Sequence, residues 1–138
     1  MLGILAQLFQ ARTEALLQPS GLSYTQMAVL THLSRQDVGQ SISELATAFE
    51  IQQPGMSKVV KRLEASGAVT TAVDPTDPRR KLVSISKKGT DDTAIAGSVV
   101  MQDVQQWFEG WSEQEVADFT MSVGRLIGWL DEHRLGSD

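Results

Sequence analysis

The hydrophobic period of this chain switches in its middle, and the switch limits what it can fold into. Met56, Val59, Val60 and Leu63 recur at i, i+3, i+4 and i+7, the spacing of one buried helical face. Gly67 then stands where a helix would be closed by a glycine. Beyond it come the short β-branched run AVTTAV and the alternation LVSIS, in which Leu82, Ser84 and Ser86 oppose Val83 and Ile85. That is the two-residue period of strands, and the two runs are expected to pair as a hairpin. Helical periods occupy the rest of the chain. The class is therefore α+β, mainly α with one small β-hairpin.

Working outward, Leu5, Leu8, Phe9, Leu16 and Leu17 predict a helix over residues 1–18, stopped by Pro19-Ser20-Gly21. Ser23 or Thr25 starts a second helix with Met27, Leu30 and Leu33 inward. Asp37-Val38-Gly39-Gln40 breaks it. In SISELATAFEI, Ser43 is the expected N-cap, with Glu44 in the first turn; Ser41 with Glu44 also fits a capping box. Leu45, Ala46 and Phe49 face inward. Pro54 suits the first turn of the next helix. Two short helices joined by a tight turn, the second polar and basic outside, describe a helix-turn-helix. The hairpin beside it forms a wing, whose tip is expected to be the stiff stretch DPTDPRRKL. Its prolines reduce the entropy lost on ordering.

Two long helices close the chain. Val100, Val104, Trp107, Phe108 and Trp111 line the first. Ser112 and Glu115 form a capping box for the second, lined by Val116, Phe119, Val123, Leu126, Ile127 and Leu130. Their apolar surface, with that of residues 1–18, exceeds what the winged unit covers, so dimerisation is expected. The organisation reads as one domain, 1–138. Within it, 23–89 is the winged helix-turn-helix, and 1–18 and 90–134 are dimerisation helices.

Charge points to the partner. Formal net charge is -5, yet between Gln53 and Lys88 eight bases stand against three acids; the rest holds four bases and fourteen acids. A basic middle in an acidic chain is the electrostatic footprint of a polyanion-binding surface. With no cysteine, disulfides and thiolate metal sites are excluded. No apolar run is long enough to span a bilayer, and the N-terminus reads as an amphipathic helix, not a signal peptide. The expected location is the cytoplasm, with no membrane partner. His32 and His133 lack a carboxylate-rich metal spacing, and no nucleophile motif or phosphate loop occurs. No enzyme, catalytic residue, metal or cofactor is expected. Trp107, Trp111 and Trp129 read as core or dimer interface.

The order of elements resembles the MarR family of bacterial and archaeal transcription regulators over nearly the whole chain. The resemblance rests on Leu45-Ala46, on Arg62-Leu63-Glu64 followed by Gly67, on Asp77-Pro78-Arg79, and on Lys88-Gly89. It implies a winged helix-turn-helix flanked by N- and C-terminal dimerisation helices. It also implies a homodimer that binds pseudo-palindromic double-stranded DNA, often as a repressor, released in many members by a small phenolic or otherwise aromatic effector. By position, the minor-groove arginine is Arg79 and the wing-supporting aspartate is Asp77. The chain departs from the family pattern in three places. Few residues precede the first helix, where members often carry a longer arm; this implies a trimmed dimer interface or a misassigned start. Gly55 lies early in the recognition helix, either for close backbone approach to DNA or because a first turn tolerates it. Sensing through cysteine, known in some members, is not open to this chain.

Gln53, Ser57, Lys58 and Arg62 are the candidate base readers, since Gln pairs with adenine and Arg or Lys with guanine. Lys61 is a candidate phosphate contact. Arg79 suits a narrow minor groove, where negative potential is enhanced, while Arg80 and Lys81 are assigned to phosphates. The rival class is a winged-helix adaptor that binds acidic protein without DNA sequence specificity.

Overall fold

The computed structural model describes residues 1–135. Contacts divide it into two compact units, Met1–Met101 and the part from Gln102 onward, each considered by itself.

In the first unit, α1 (Leu2–Leu17) ends in a 3-10 turn at Gln18–Ser20, after which Gly21 takes φ 74°. Ser23 caps α2 (Tyr24–Leu33) in a capping box with Gln26. Strand β1 is two residues long, Gln40–Ser41. Helix α3 spans Ile42–Phe49 and α4 spans Gln53–Ala65. Strands β2 (Val69–Asp74) and β3 (Asp77–Ile85) form the hairpin, and α5 (Lys87–Trp107) begins in this unit. The sheet is antiparallel throughout, with order β1-β3-β2.

The core contains the inward faces expected from the periods. Leu30, Leu33, Leu45, Ala46, Met56, Val60 and Leu63 are buried, joined by Val29, Ala68, Val69 and Val83. Phe49 and Val59 pack against them half-buried. Two helix ends are closed in the same way. Gly67 (φ 79°) lets its own N–H reach the Glu64 carbonyl (3.0 Å) and that of Ala68 reach Leu63 (2.9 Å), the Schellman pattern. At the end of α3 the left-handed position falls to Glu50 (φ 52°), with Glu50 N–H to Thr47 (3.2 Å) and Ile51 N–H to Ala46 (3.0 Å). This closure makes the tight turn into α4.

Two local expectations are corrected. The cap of α3 is Ser41, not Ser43: its hydroxyl accepts the Glu44 N–H (3.1 Å), and Glu44 Oε2 accepts the Ser41 N–H (2.8 Å). The reason is β1. Ser41 pairs with Leu82 and Gln40 with Val83, which fixes the chain just before the helix. That strand has no sequence signal, being only two residues long. Second, the wing tip is not the whole of residues 74–82. Asp74 pairs with Asp77, leaving Pro75-Thr76 as the turn, and β3 starts at Asp77. A register irregularity between Val73 and Asp74 places Pro78, Arg79 and Arg80 on the longer side of the ladder. The bulge accommodates Pro78, which has no N–H to donate.

In the second unit, Trp107 donates to Asp103 (2.6 Å) within the last turns of α5. Phe108, Trp111 and Phe119 pack as an aromatic trio with centroids 5.3–5.7 Å apart. Ser112 and Glu115 cap α6 (Glu113–Glu132) as expected. None of the α6 side chains is fully buried.

Candidate nucleic-acid interface

The recognition helix is α4. Burying Met56, Val60 and Leu63 on one side turns Gln53, Lys58, Lys61 and Arg62 outward as exposed residues, with Ser57 half-exposed. Gln53, at the first turn, donates to the Ser43 hydroxyl of α3 (3.2 Å), so the start of α4 is tied to its neighbour. Lys58, Lys61, Arg62 and Lys81 make no ion pair within the described residues. Gly55 faces Ile51 of the preceding turn. A Cβ there would lie 3.1 Å from the Ile51 side chain, so local packing is itself a reason for glycine.

Arg79 leaves the wing almost wholly in solvent, its side chain 94% exposed. Asp77 holds its base by two contacts: Asp77 Oδ1 accepts the Arg79 N–H (3.0 Å) and lies 3.7 Å from its Nε. The turn itself is stiffened by Asp74, whose Oδ1 accepts the Thr76 N–H (2.8 Å) and hydroxyl (2.7 Å). These bonds to Thr76, the backbone one first, lower the Asp74 pKa.

The three wing cations thus differ. Lys81 is exposed on β3. Arg80 turns back into the protein, where its NH2 group donates to Glu44 Oε1 and its Nε lies 3.8 Å from Asp74. Glu44 therefore uses one carboxylate oxygen to cap α3 and the other to hold the wing. Its pKa is lowered, first by the Ser41 N–H and next by Arg80. The sequence singled out Glu44 only as a helix-start charge and Asp74 only as part of a stiff loop. No local pattern joins residues 36 positions apart. Lys87 and Lys88 also count for less than the charge tally suggests, being paired with Asp91 (3.0 Å) and Asp92 (2.5 Å) one turn along α5. Among the described residues, the basic side chains of 53–88 without an ion pair are Lys58, Lys61 and Arg62 on α4 and Lys81 on the wing.

The first unit also holds an open cleft of about 630 Å³ lined by Glu14, Gln18, Leu22, Ser23, Gln26 and Arg62, among others. His32 is half-buried with Phe49 edge-on at 5.5 Å. No cluster of three metal-ligating side chains occurs among the described residues. No described helix is long and apolar enough to cross a membrane.

A helix-turn-helix flanked by a β-hairpin that carries its own exposed arginine defines a winged helix-turn-helix protein. Residues 20–80 match a model described as the MarR family. Over that segment the chain is similar to the MarR family, and solved structures of the same fold include proteins described as MarR-family transcriptional regulators. Solved structures agree in fold. That of MarR superposes with a TM-score of 0.85 at 23% identity, covering 95% of this chain and 88% of that one. CouR from Rhodococcus jostii RHA1, bound to p-coumaroyl-CoA, gives 0.75 at 22% identity, with coverages of 91% and 87%. A mutant of MepR from S. aureus, bound to an oligodeoxyribonucleotide, gives 0.66 at 19% identity and 94% of each chain.

Proposed function

We propose that this chain is a sequence-specific DNA-binding regulator, a repressor that binds pseudo-palindromic operators as a homodimer. The observation that carries the reading is Arg79. Its side chain is 94% exposed, on a wing braced by Asp77, in the same compact unit as the exposed cations of α4. A helix with Gln53, Ser57, Lys58 and Arg62 outward fits a major groove and reads base edges there. Lys61 and Lys81 meet phosphates, and Arg79 enters the adjacent minor groove. Twofold symmetry sets the half-sites about one DNA turn, roughly 34 Å, apart. MepR in its oligodeoxyribonucleotide-bound form and CouR in its p-coumaroyl-CoA-bound form support both a DNA partner and a small-molecule effector. An aromatic acid in the cleft beside Arg62 would act directly on the recognition helix.

The test is selection of bound duplexes from random DNA, followed by fluorescence anisotropy on the selected sequence. Arg79→Ala is expected to weaken binding tenfold or more, about 1.4 kcal/mol, with fold and assembly intact. Binding by the parent chain is expected to fall steeply with salt, with a log–log slope of about 0.9 per phosphate neutralised. Unchanged affinity in Arg79→Ala would remove the minor-groove assignment. Failure to enrich any sequence would favour the adaptor class.

A further inference from the structure

Arg80 stands in the most cationic run of the chain, yet it is built unlike its neighbours. Its side chain is 39% exposed where that of Arg79 is 94% exposed. Its Nε is buried without a hydrogen-bond partner, and the nearest carboxylate to that nitrogen is Asp74, at 3.8 Å. Its terminal NH2 group is held by Glu44 of α3. A phosphate contact needs a guanidinium presented outward with donors free. This one is turned inward between two carboxylates from different elements.

We infer that Arg80 is a positioning residue that clamps the wing to the N-terminus of α3, with Glu44 and Asp74 as its two jaws, and that it does not contact DNA. Resting on the proposed DNA-binding function, the clamp fixes where Arg79 emerges relative to α4. Arg79 is the adjacent residue, and α4 follows α3 through a tight turn already tied by Gln53 to Ser43. Glu44 couples the clamp to the helix start, since its two oxygens serve Ser41 and Arg80 separately.

Glu44→Gln separates this reading from simple charge effects. The capping box survives the change, as Gln26 performs the same task for Ser23 in α2. A glutamine has one acceptor oxygen, however. With that oxygen on the Ser41 N–H, its amide turns a donor toward Arg80, and the clamp opens. Removing an acid near a DNA-binding face should by plain electrostatics tighten binding. The clamp reading gives the opposite sign.

Hydrogen exchange on the free full-length protein, followed at residues 73–81, reads the clamp without DNA. Glu44→Gln and Arg80→Gln are expected to accelerate exchange there while leaving α4 unchanged and lowering the thermal midpoint only by the small contribution of an exposed ion pair. On the selected duplex, each is expected to weaken binding about three- to tenfold, the range for losing a partly exposed charge-assisted pair. The double variant should be no worse than the weaker single one. Arg80→Lys, which keeps a charge for Glu44, should recover part of the loss. Tighter binding by Glu44→Gln with unaltered exchange at the wing would overturn the clamp and return Arg80 to the phosphates. If no duplex is bound, the DNA-positioning role fails with the proposed function, and faster wing exchange in the variants would leave only a structural tie.

Discussion

At the scale of single residues, charge proved a poor guide to role until its partners were known. Arg79, Arg80 and Lys81 are consecutive, yet Arg79 projects into solvent, Arg80 folds back onto Glu44 and Asp74, and Lys81 is exposed and unpaired. Which of the three is free depends on a glutamate 36 positions away. The same carboxylates give the wing a pH response. Both Glu44 and Asp74 have folded-state pKa values below the ordinary range, mainly through backbone N–H donors. A lowered carboxylate pKa contributes stability that is complete above the unfolded value, near 4, and is lost as pH falls through the folded value. Denaturation midpoints in urea, measured from pH 7 to pH 3, should therefore be level near neutrality and fall on acidification. Glu44→Gln should lose less on acidification than the parent, and an equal loss would deny Glu44 this part.

At the scale of elements, the helices followed their apolar periods and the boundaries followed contacts. The inward faces of α2, α3 and α4 were legible because a helix buries i, i+3, i+4 and i+7 whatever it packs against. The start of α3 was not legible, since Ser41 and Ser43 are equal as local caps and β1 alone chooses between them. The Lys88-Gly89 pair has a packing explanation that no pattern contains. A Cβ on Gly89 would lie 2.0 Å from the Ala68 carbonyl oxygen, so α5 leaves the wing in direct contact with the end of the recognition helix's closing turn. Gly89→Ala should destabilise by about 3 kcal/mol, the upper end of overpacking costs. Gly97→Ala, in the same helix with only ordinary contact at 3.7 Å, should be neutral or stabilising by up to about 1 kcal/mol. Thermal melts of the two variants check the contrast; similar midpoints would mean that the chain relaxes around Gly89.

For the whole molecule, apolar surface outside the core is the dominant fact. On α1, Leu2, Ile4, Leu5 and Leu8 are 53–65% exposed, and on α6, Met121, Ile127, Trp129 and Leu130 are 54–64% exposed. Each unit, taken by itself, thus exposes several large apolar side chains, and such exposure on one helix is the mark of an interaction site. A second copy of the chain is the proposed occupant, which would match the twofold operator of the proposed function. Leu126→Glu on α6 should shift the protein to monomer in sedimentation velocity and weaken operator binding with it. A dimer that persists unchanged would place the interface elsewhere.

The order of helices and hairpin, the buried faces, the capping box of α6, the closing glycine of α4 and the concentration of cations in the middle third could all be read from the residue pattern alone. Each of these depends on residues within a turn or two of one another, so the pattern carries its own physical cause. Which cations remain free, where α3 begins, how short the wing tip is and why Gly89 must lack a side chain became legible once the chain was folded. Those features arise where distant segments meet, Glu44 with Arg80, Ser41 with Leu82, Gly89 with Ala68, and contact across such separations leaves no periodic trace.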